Sequence, residues 1–177
     1  VAASQRHIGQ IFQSAINFGG SLSDYTVWLL ERSIKTMGLR VAAQNTNAQA
    51  MAEFLYNHPD IESVYYPGLP SHPNHDLAKR QMKGFGGMLS FELKKGLSPE
   101  LFLKNLNLIK PSMSLAGVES TMLSPAKTSH ALLTPEERQQ AGISDNLIRF
   151  SVGIEGVDDL IDDIQQAVAS TLAQCED

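Results

Sequence analysis

The spacing of hydrophobic positions changes several times along the chain, and each change marks an element. From Gln5 to Ile16, the residues Ile8, Ile11, Phe12 and Ala15 recur at three- and four-residue steps. That spacing predicts a helix with one buried face, capped by Ser4. Asn17-Phe18-Gly19-Gly20 ends it, because paired glycines break helices and accept positive φ. A second helical pattern opens at Ser21 or Ser23, with Asp24 suited to the positive end of the dipole, and carries Tyr25, Trp28, Leu29 and Arg32. It continues through Val41, Ala48, Met51, Ala52 and Leu55, weakly interrupted at Gly38, so one long helix, straight or kinked, is expected to end at Asn57-His58-Pro59. Such length in a small domain implies packing against another domain or subunit.

From Ile61 the period shortens. Ile61 to Tyr66 reads as a strand closed by Pro67-Gly68-Leu69-Pro70, and a short helix is expected from Asp76 to Met82. Met88 to Leu93 alternates as a strand, behind the glycine cluster Gly84-Phe85-Gly86-Gly87. That cluster is no phosphate loop: it lacks the Lys-Ser/Thr ending, and a strand follows it instead of a helix. Ser98-Pro99-Glu100 starts a helix with Leu101, Phe102 and Leu106 inward, and Leu108-Ile109 leads to a strand. Thr134-Pro135-Glu136-Glu137 starts another helix, which Gly142 ends. Val157, Leu160, Ile161, Ile164 and Val168 mark an amphipathic final helix. Strands interleaved with helices make an α/β or α+β domain with a small sheet.

The run Asn146 to Glu155 has two unlike faces. Ile148, Phe150, Val152 and Ile154 form one apolar stripe, while Arg149, Ser151 and Gly153 share the other. A long cation between two very small residues leaves an open cleft beneath the guanidinium, suited to bidentate capture of a carboxylate or phosphate. A second reading also fits the alternation: a half-buried arginine tied to Glu155 or Asp158.

Composition narrows the rest. A chain of 177 residues with 42% hydrophobic content can bury one proper core, and a net charge of −5 leaves no basic footprint for nucleic acid. No apolar run is long enough to span a bilayer and the start lacks a signal segment, so the cytoplasm is the default location. One cysteine, Cys175, cannot support a disulfide framework. His72 and His75 flank a proline with no third ligand nearby, so helix entry outweighs a metal site, and none is assigned. The chain opens on Val1-Ala2-Ala3-Ser4 rather than Met, which points to part of something longer.

Four motifs in order and at natural spacing carry a resemblance. Asn17-Phe18-Gly19-Gly20-Ser21, Gly84-Phe85-Gly86-Gly87-Met88-Leu89-Ser90, Ser114-Leu115-Ala116-Gly117-Val118-Glu119-Ser120 and Leu147 to Glu155 together resemble the Cys/Met-metabolism family of pyridoxal-phosphate enzymes. That family includes cystathionine γ-lyase, β-lyase and γ-synthase, and methionine γ-lyase. The resemblance implies the C-terminal portion of the aspartate-aminotransferase-like type I fold, with a long helix and a small, mostly antiparallel sheet covered by helices. Residues 1–20 would be the tail of the large cofactor domain, and residues 21–177 the inter-domain helix and small domain.

It also implies roles. Arg149 matches the arginine that binds the substrate α-carboxylate, Ser114 and Ser120 match serines lining the pocket, and Glu119 matches a position that sets preference for the distal end of the substrate. Read locally, Ser120 could equally be a capping residue and Glu119 a solvated one. Ala116 departs from the glycine usual in the family's run. Pro125 and His130 are kept, whereas Lys127, Thr128 and Ser129 depart, which blurs the preferred sulfur amino acid.

The chemistry of pyridoxal 5'-phosphate needs a Schiff-base lysine, a phosphate cradle, an acid for the pyridinium nitrogen and a stacking aromatic, all upstream in the family. Lys79, Lys83, Lys94, Lys95 and Lys104 sit on polar faces or turns, and Lys127 is not where the family places its lysine. No cofactor is therefore expected to bind these residues alone, and no residue here is expected to catalyse by itself. The complete enzyme is expected to be a homo-oligomer acting on cystathionine, methionine or an activated homoserine, by loss of the α-proton and β- or γ-elimination or replacement. Two other classes stay open: a non-catalytic dimerisation or ligand-binding module, and a separate subunit that completes its site with a partner chain.

Overall fold

In the computed structural model, which describes residues 3–115 and 117–175, the alternating run becomes the middle strand of a five-stranded sheet. The strands are β1 (Ile61–Tyr65), β2 (Met88–Leu93), β3 (Lys110–Pro111), β4 (Thr121–Leu123) and β5 (Leu147–Ser151). Their spatial order is β1-β2-β5-β4-β3, antiparallel at every junction except β3 with β4, which run parallel. Residues 112–120 join that parallel pair. So short a connection cannot form a helical crossover, and its described residues, 112–115 and 117–120, carry neither helix nor strand.

One face of the sheet is greasy throughout. Leu89, Phe150 and Met122 lie in register across three strands, and Phe91 faces Ile148 across two. They belong to one buried cluster with Ala48, Met51, Ala52 and Leu55 of α3 (Met37–Tyr56), Phe102 of α5 (Pro99–Asn105), and Leu160, Ile164, Ala167 and Val168 of α7 (Val157–Cys175). Leu101 and Leu106 are only half-buried. The remaining helices are α1 (Gln5–Phe18), α2 (Asp24–Ile34), α4 (His75–Gln81) and α6 (Pro135–Gln140), with a 3-10 turn at Pro125–Lys127. Caps follow the sequence signals: Ser23, Ser98 and Thr134 accept from Thr26, Leu101 and Glu137 amides, and Thr134 with Glu137 completes a capping box. Ser4 stands at the N-cap of α1 but bonds the His7 ring instead of a backbone amide.

The chain divides into two compact units, Val1–Gly38 and Leu39–Asp177. In the first, α1 and α2 bury no side chain; Ile11, Phe12, Tyr25 and Trp28 all stay exposed. The stripe expected to be buried on α1 is therefore open, because two short helices are too small to enclose a core. Tyr25 stacks on Trp28 at 6.0 Å, and Arg32 lies 5.7 Å over the indole. The one long helix expected, with a weak interruption at Gly38, is two helices parted at Lys35–Thr36, where both the amide and the hydroxyl of Thr36 turn to the Ser33 carbonyl.

In the second unit, Tyr66 is fully buried and donates its hydroxyl to the Gly86 carbonyl at 2.9 Å. Burial pushes its phenol from 10.0 up to about 12. The folded state thus holds this proton more tightly than the unfolded chain. The associated stability is intact below pH 10 and drains away as pH rises through 12. Tyr66→Phe is expected to lose about 1 kcal/mol at neutral pH and to flatten the fall in unfolding free energy over that alkaline window, as read by denaturant titrations at several pH values.

Candidate functional site

Arg149 sits at the middle of β5, opposite Ser90 of β2 and Leu123 of β4. Directly opposed residues share a face, so Ser90, Arg149 and Leu123 make one row on the side away from the greasy face. Met88, Ser151 and Thr121 make the next row. The guanidinium is half-buried, and its Nη2 donates to the Ser114 carbonyl at 2.8 Å. Its Nε is buried and has no partner among the described residues. None of the ion pairs found among those residues involves Arg149. A buried guanidinium nitrogen left without an acceptor is costly, and a carboxylate supplies the acceptors that this fork lacks.

The local-acid reading of Arg149 fails on where Glu155 goes. Glu155 accepts the Ser120 amide at 2.6 Å and the Ser120 hydroxyl at 2.9 Å, while the Gly153 amide donates to that same hydroxyl at 2.8 Å. Ser120 is 1% exposed, and its Oγ is both donor and acceptor inside the protein. The Ile154 amide adds a bond to the Val118 carbonyl. Loop and turn are thereby clasped together.

This clasp also fills the cleft expected beneath the guanidinium. Ser151 is buried, and a Cβ on Gly153 would collide with the Val118 carbonyl, the Ser120 amide nitrogen and the Glu155 carboxylate. Gly153 is thus small because the returning backbone of Val118 and Ser120 lies where its Cβ would be. Ile154 departs from its expected stripe as well: β5 ends at Ser151, so Ile154 falls in a turn and is exposed.

The two remaining site residues are on the surface. Ser114 is exposed, and it is its carbonyl that is engaged, accepting from Arg149 and from Thr121 Oγ1 at 2.9 Å. Glu119 is exposed one residue before the clasp. Ser114 and Ser120 therefore flank Arg149 of β5, the first bonded to it through its carbonyl and the second clasped to the turn beyond the strand. Ala116 lies outside the described residues, as do Val1 and Ala2, so the departure at 116 has no structural account.

Sequence reasoning passed over the amide residues of α3. Gln44 donates to the Gly117 carbonyl at 2.8 Å, and Asn47 donates to the Gly153 and Glu155 carbonyls at 3.2 and 2.8 Å. Asn45 accepts the Gly86 amide at 2.6 Å, and Gly84 has no Cβ because Asn45 occupies that place. The glycine cluster thus exists for close approach to α3, with only Gly86 at positive φ (87°). One signal was available: Gln44 and Asn47 lie on the stripe that continues to Ala48, Met51 and Leu55.

The cluster suits a carboxylate and does not by itself suit a lysine-linked cofactor. No lysine takes part in the bonds just described. Lys127 pairs with Glu100 at 3.2 Å, with both side chains largely exposed. Cavities lie elsewhere, of about 660 Å³ along Glu62, Lys94 and Lys95, about 520 Å³ along Glu100, Lys127 and Arg138, and about 450 Å³ walled by Glu92, Arg138 and Ser144. Arg138 there donates to the Leu133 carbonyl and pairs with Asp145, so its charge is matched, although its Nε, like that of Arg149, is buried without a partner among the described residues. Among the described residues no helix is long and apolar enough to cross a membrane, and no group of acidic, histidine or cysteine side chains is arranged to hold a metal ion. His72 and His75 bond their own loop.

Comparison with known proteins gives a consistent result. Residues 1–169 match the family described as Cys/Met metabolism PLP-dependent enzyme. The chain is 45% identical over 169 residues to the cystathionine gamma-lyase of Bacillus subtilis (strain 168), covering 95% of this chain and 45% of that protein. It is 46% identical over 152 residues to the cystathionine beta-lyase of Lactococcus lactis subsp. cremoris (strain MG1363), covering 86% and 40%. Among solved structures, cystathionine gamma-lyase from Lactobacillus plantarum complexed with L-serine superposes with a TM-score of 0.88 at 39% identity, covering 97% and 45%. The chain spans less than half the length of each.

Proposed function

Since this chain belongs to the Cys/Met metabolism family of PLP-dependent enzymes, we propose that it is the C-terminal part of a transsulfuration enzyme and supplies the anchor for the substrate carboxylate. The family is pyridoxal-phosphate-dependent, and the complete enzyme uses that cofactor. The reaction class is cleavage or exchange at the β- or γ-carbon of cystathionine, methionine or an activated homoserine. Relatives bearing γ-lyase and β-lyase names stand at nearly equal identity, so the carbon attacked is left unassigned.

One observation carries the reading: Arg149 presents a half-buried guanidinium whose Nε has no acceptor among the described residues, on a strand whose other face is fixed in the core. A substrate carboxylate bound there would hold the amino acid at one end, so that the bond to its α-proton keeps a constant direction. Ser114 supplies the carbonyl that steadies the arginine, Ser120 locks the loop to the turn beyond β5, and Glu119 faces the distal end of the substrate. When bound, pyridoxal phosphate supplies the electron sink for the charge left at Cα. We assign the lysine and phosphate cradle for that cofactor to polypeptide outside these 177 residues, consistent with the chain's spanning under half of its relatives.

Replacing Arg149 by alanine in the complete enzyme is the deciding experiment, with KM as its readout. A companion result is expected of the 177-residue chain alone: no turnover of cystathionine when pyridoxal phosphate is added. Turnover by these residues unaided would overturn the assignment of the lysine to another part of the polypeptide.

A further inference from the structure

We propose that Thr121 is a positioning residue that aims Arg149 through the carbonyl oxygen of Ser114. The inference rests on the anchor reading above and extends it to a residue with no assigned role. Thr121 opens β4 opposite Ser151, one row along from Arg149 on the same face. It is 7% exposed, and its Oγ1 donates to the Ser114 carbonyl at 2.9 Å. Arg149 Nη2 donates to that same oxygen at 2.8 Å. A carbonyl has two lone pairs, and these two donors occupy both.

The geometry makes the threonine the fixed member of the trio. Ser114 is exposed on the loop of residues 112–120, where no regular strand holds its peptide plane. Thr121 is held by register on both sides, to Ser151 of β5 and to Lys110 of β3. β-branching also restricts its χ1, so the hydroxyl is aimed before any partner arrives. The order of control therefore runs from Thr121 to the Ser114 peptide, and from that peptide to the guanidinium plane. The hydroxyl never meets substrate. It removes a rotation that a carboxylate would otherwise have to arrest on binding.

The test uses the complete holoenzyme. Thr121→Val keeps the shape and loses only the hydroxyl. It is expected to raise KM for the amino-acid substrate about three- to tenfold, the loss of roughly one hydrogen bond, with kcat within about twofold. The dissociation constant of glycine, an amino acid without a leaving group, measured by calorimetry, is expected to weaken by the same factor. Thr121→Ser restores the donor without the β-branch and is expected to bring both values most of the way back. A purely structural residue would instead lower the melting temperature without moving KM or the glycine constant. That outcome overturns the proposal, as does a change confined to kcat or a serine variant that behaves like valine. If the valine variant fails to fold, Thr121→Ala carries the same expectation. Arg149→Ala separates the two levels: unchanged KM there refutes the anchor reading, whereas raised KM there with unchanged KM in Thr121→Val refutes this proposal alone.

Discussion

Arg149→Ala in the complete enzyme is expected to raise KM by about 100- to 1000-fold, while the absorbance of the bound cofactor stays unchanged. The magnitude follows from removing one member of a partly desolvated, charge-assisted pair, worth about 3–4 kcal/mol when its partner is left uncompensated, or two to three decades in affinity. Arg149→Lys is expected to fall between the two, since an ammonium keeps the charge but loses the planar fork. Cofactor absorbance should not move, because no group in the Arg149 cluster is assigned to the cofactor. Steady-state kinetics with an absorbance spectrum of each variant decides the matter, and a KM within threefold of the parent would remove the anchor.

The second large effect lies far from Arg149. Asp163→Ala is expected to lower unfolding free energy by about 3–4 kcal/mol, read as a fall of about 6–15 °C in melting temperature for a chain of this size. Asp163 is 5% exposed in α7, and its carboxylate accepts the amides of Asn107, Leu108 and Ile109 at 2.7, 3.0 and 2.8 Å, with Gln166 adding a fourth donor at 3.0 Å. One carboxylate therefore ties the bend between α5 and β3 to the last helix. Removing it leaves the Ile109 amide buried without an acceptor, while Asn107 and Leu108 are exposed and can turn to water. Asp163→Asn keeps one oxygen for two groups of donors and should recover about half of the loss. A thermal shift under 2 °C in the alanine variant would show that the bend holds itself.

Several of these features were readable beforehand, and the reasons some were not differ from residue to residue. The two faces of β5 were legible because Ile148, Phe150 and Val152 are large, apolar and two apart, which only a strand explains. The helix starts at Ser23, Ser98 and Thr134 were legible because each cap is a local event within four residues. β4 was not, since Thr121, Met122 and Leu123 are all buried and so show no alternation. β3 holds two residues and shows no alternation of its own, and only its lead-in, Leu108-Ile109, pointed to a strand there. The engagement of Ser120 depends on Glu155, 35 positions away, and no window of sequence displays such a bond. Asp163 is instructive in a different way. It looks like half of a solvated Asp162-Asp163 pair, yet it falls on the stripe Leu160, Ile164 and Ala167, where an acid is informative. The same holds for Gln44 and Asn47 on α3. A polar residue on an apolar stripe marks a backbone turn that needs a partner.

The bonds from Asn47 to carbonyls 106 and 108 positions further on have a consequence for the order of events in folding. Closing so long a stretch of chain costs entropy that only late, cooperative contacts repay. The turn at residues 153–155 is accordingly expected to be among the last regions to assemble and among the first to open. Release of the turn at residues 153–155 from Asn47 and Ser120 would loosen the loop beside Arg149 while the greasy interior stays closed, so under the anchor proposal loss of ligand affinity is expected before loss of secondary structure.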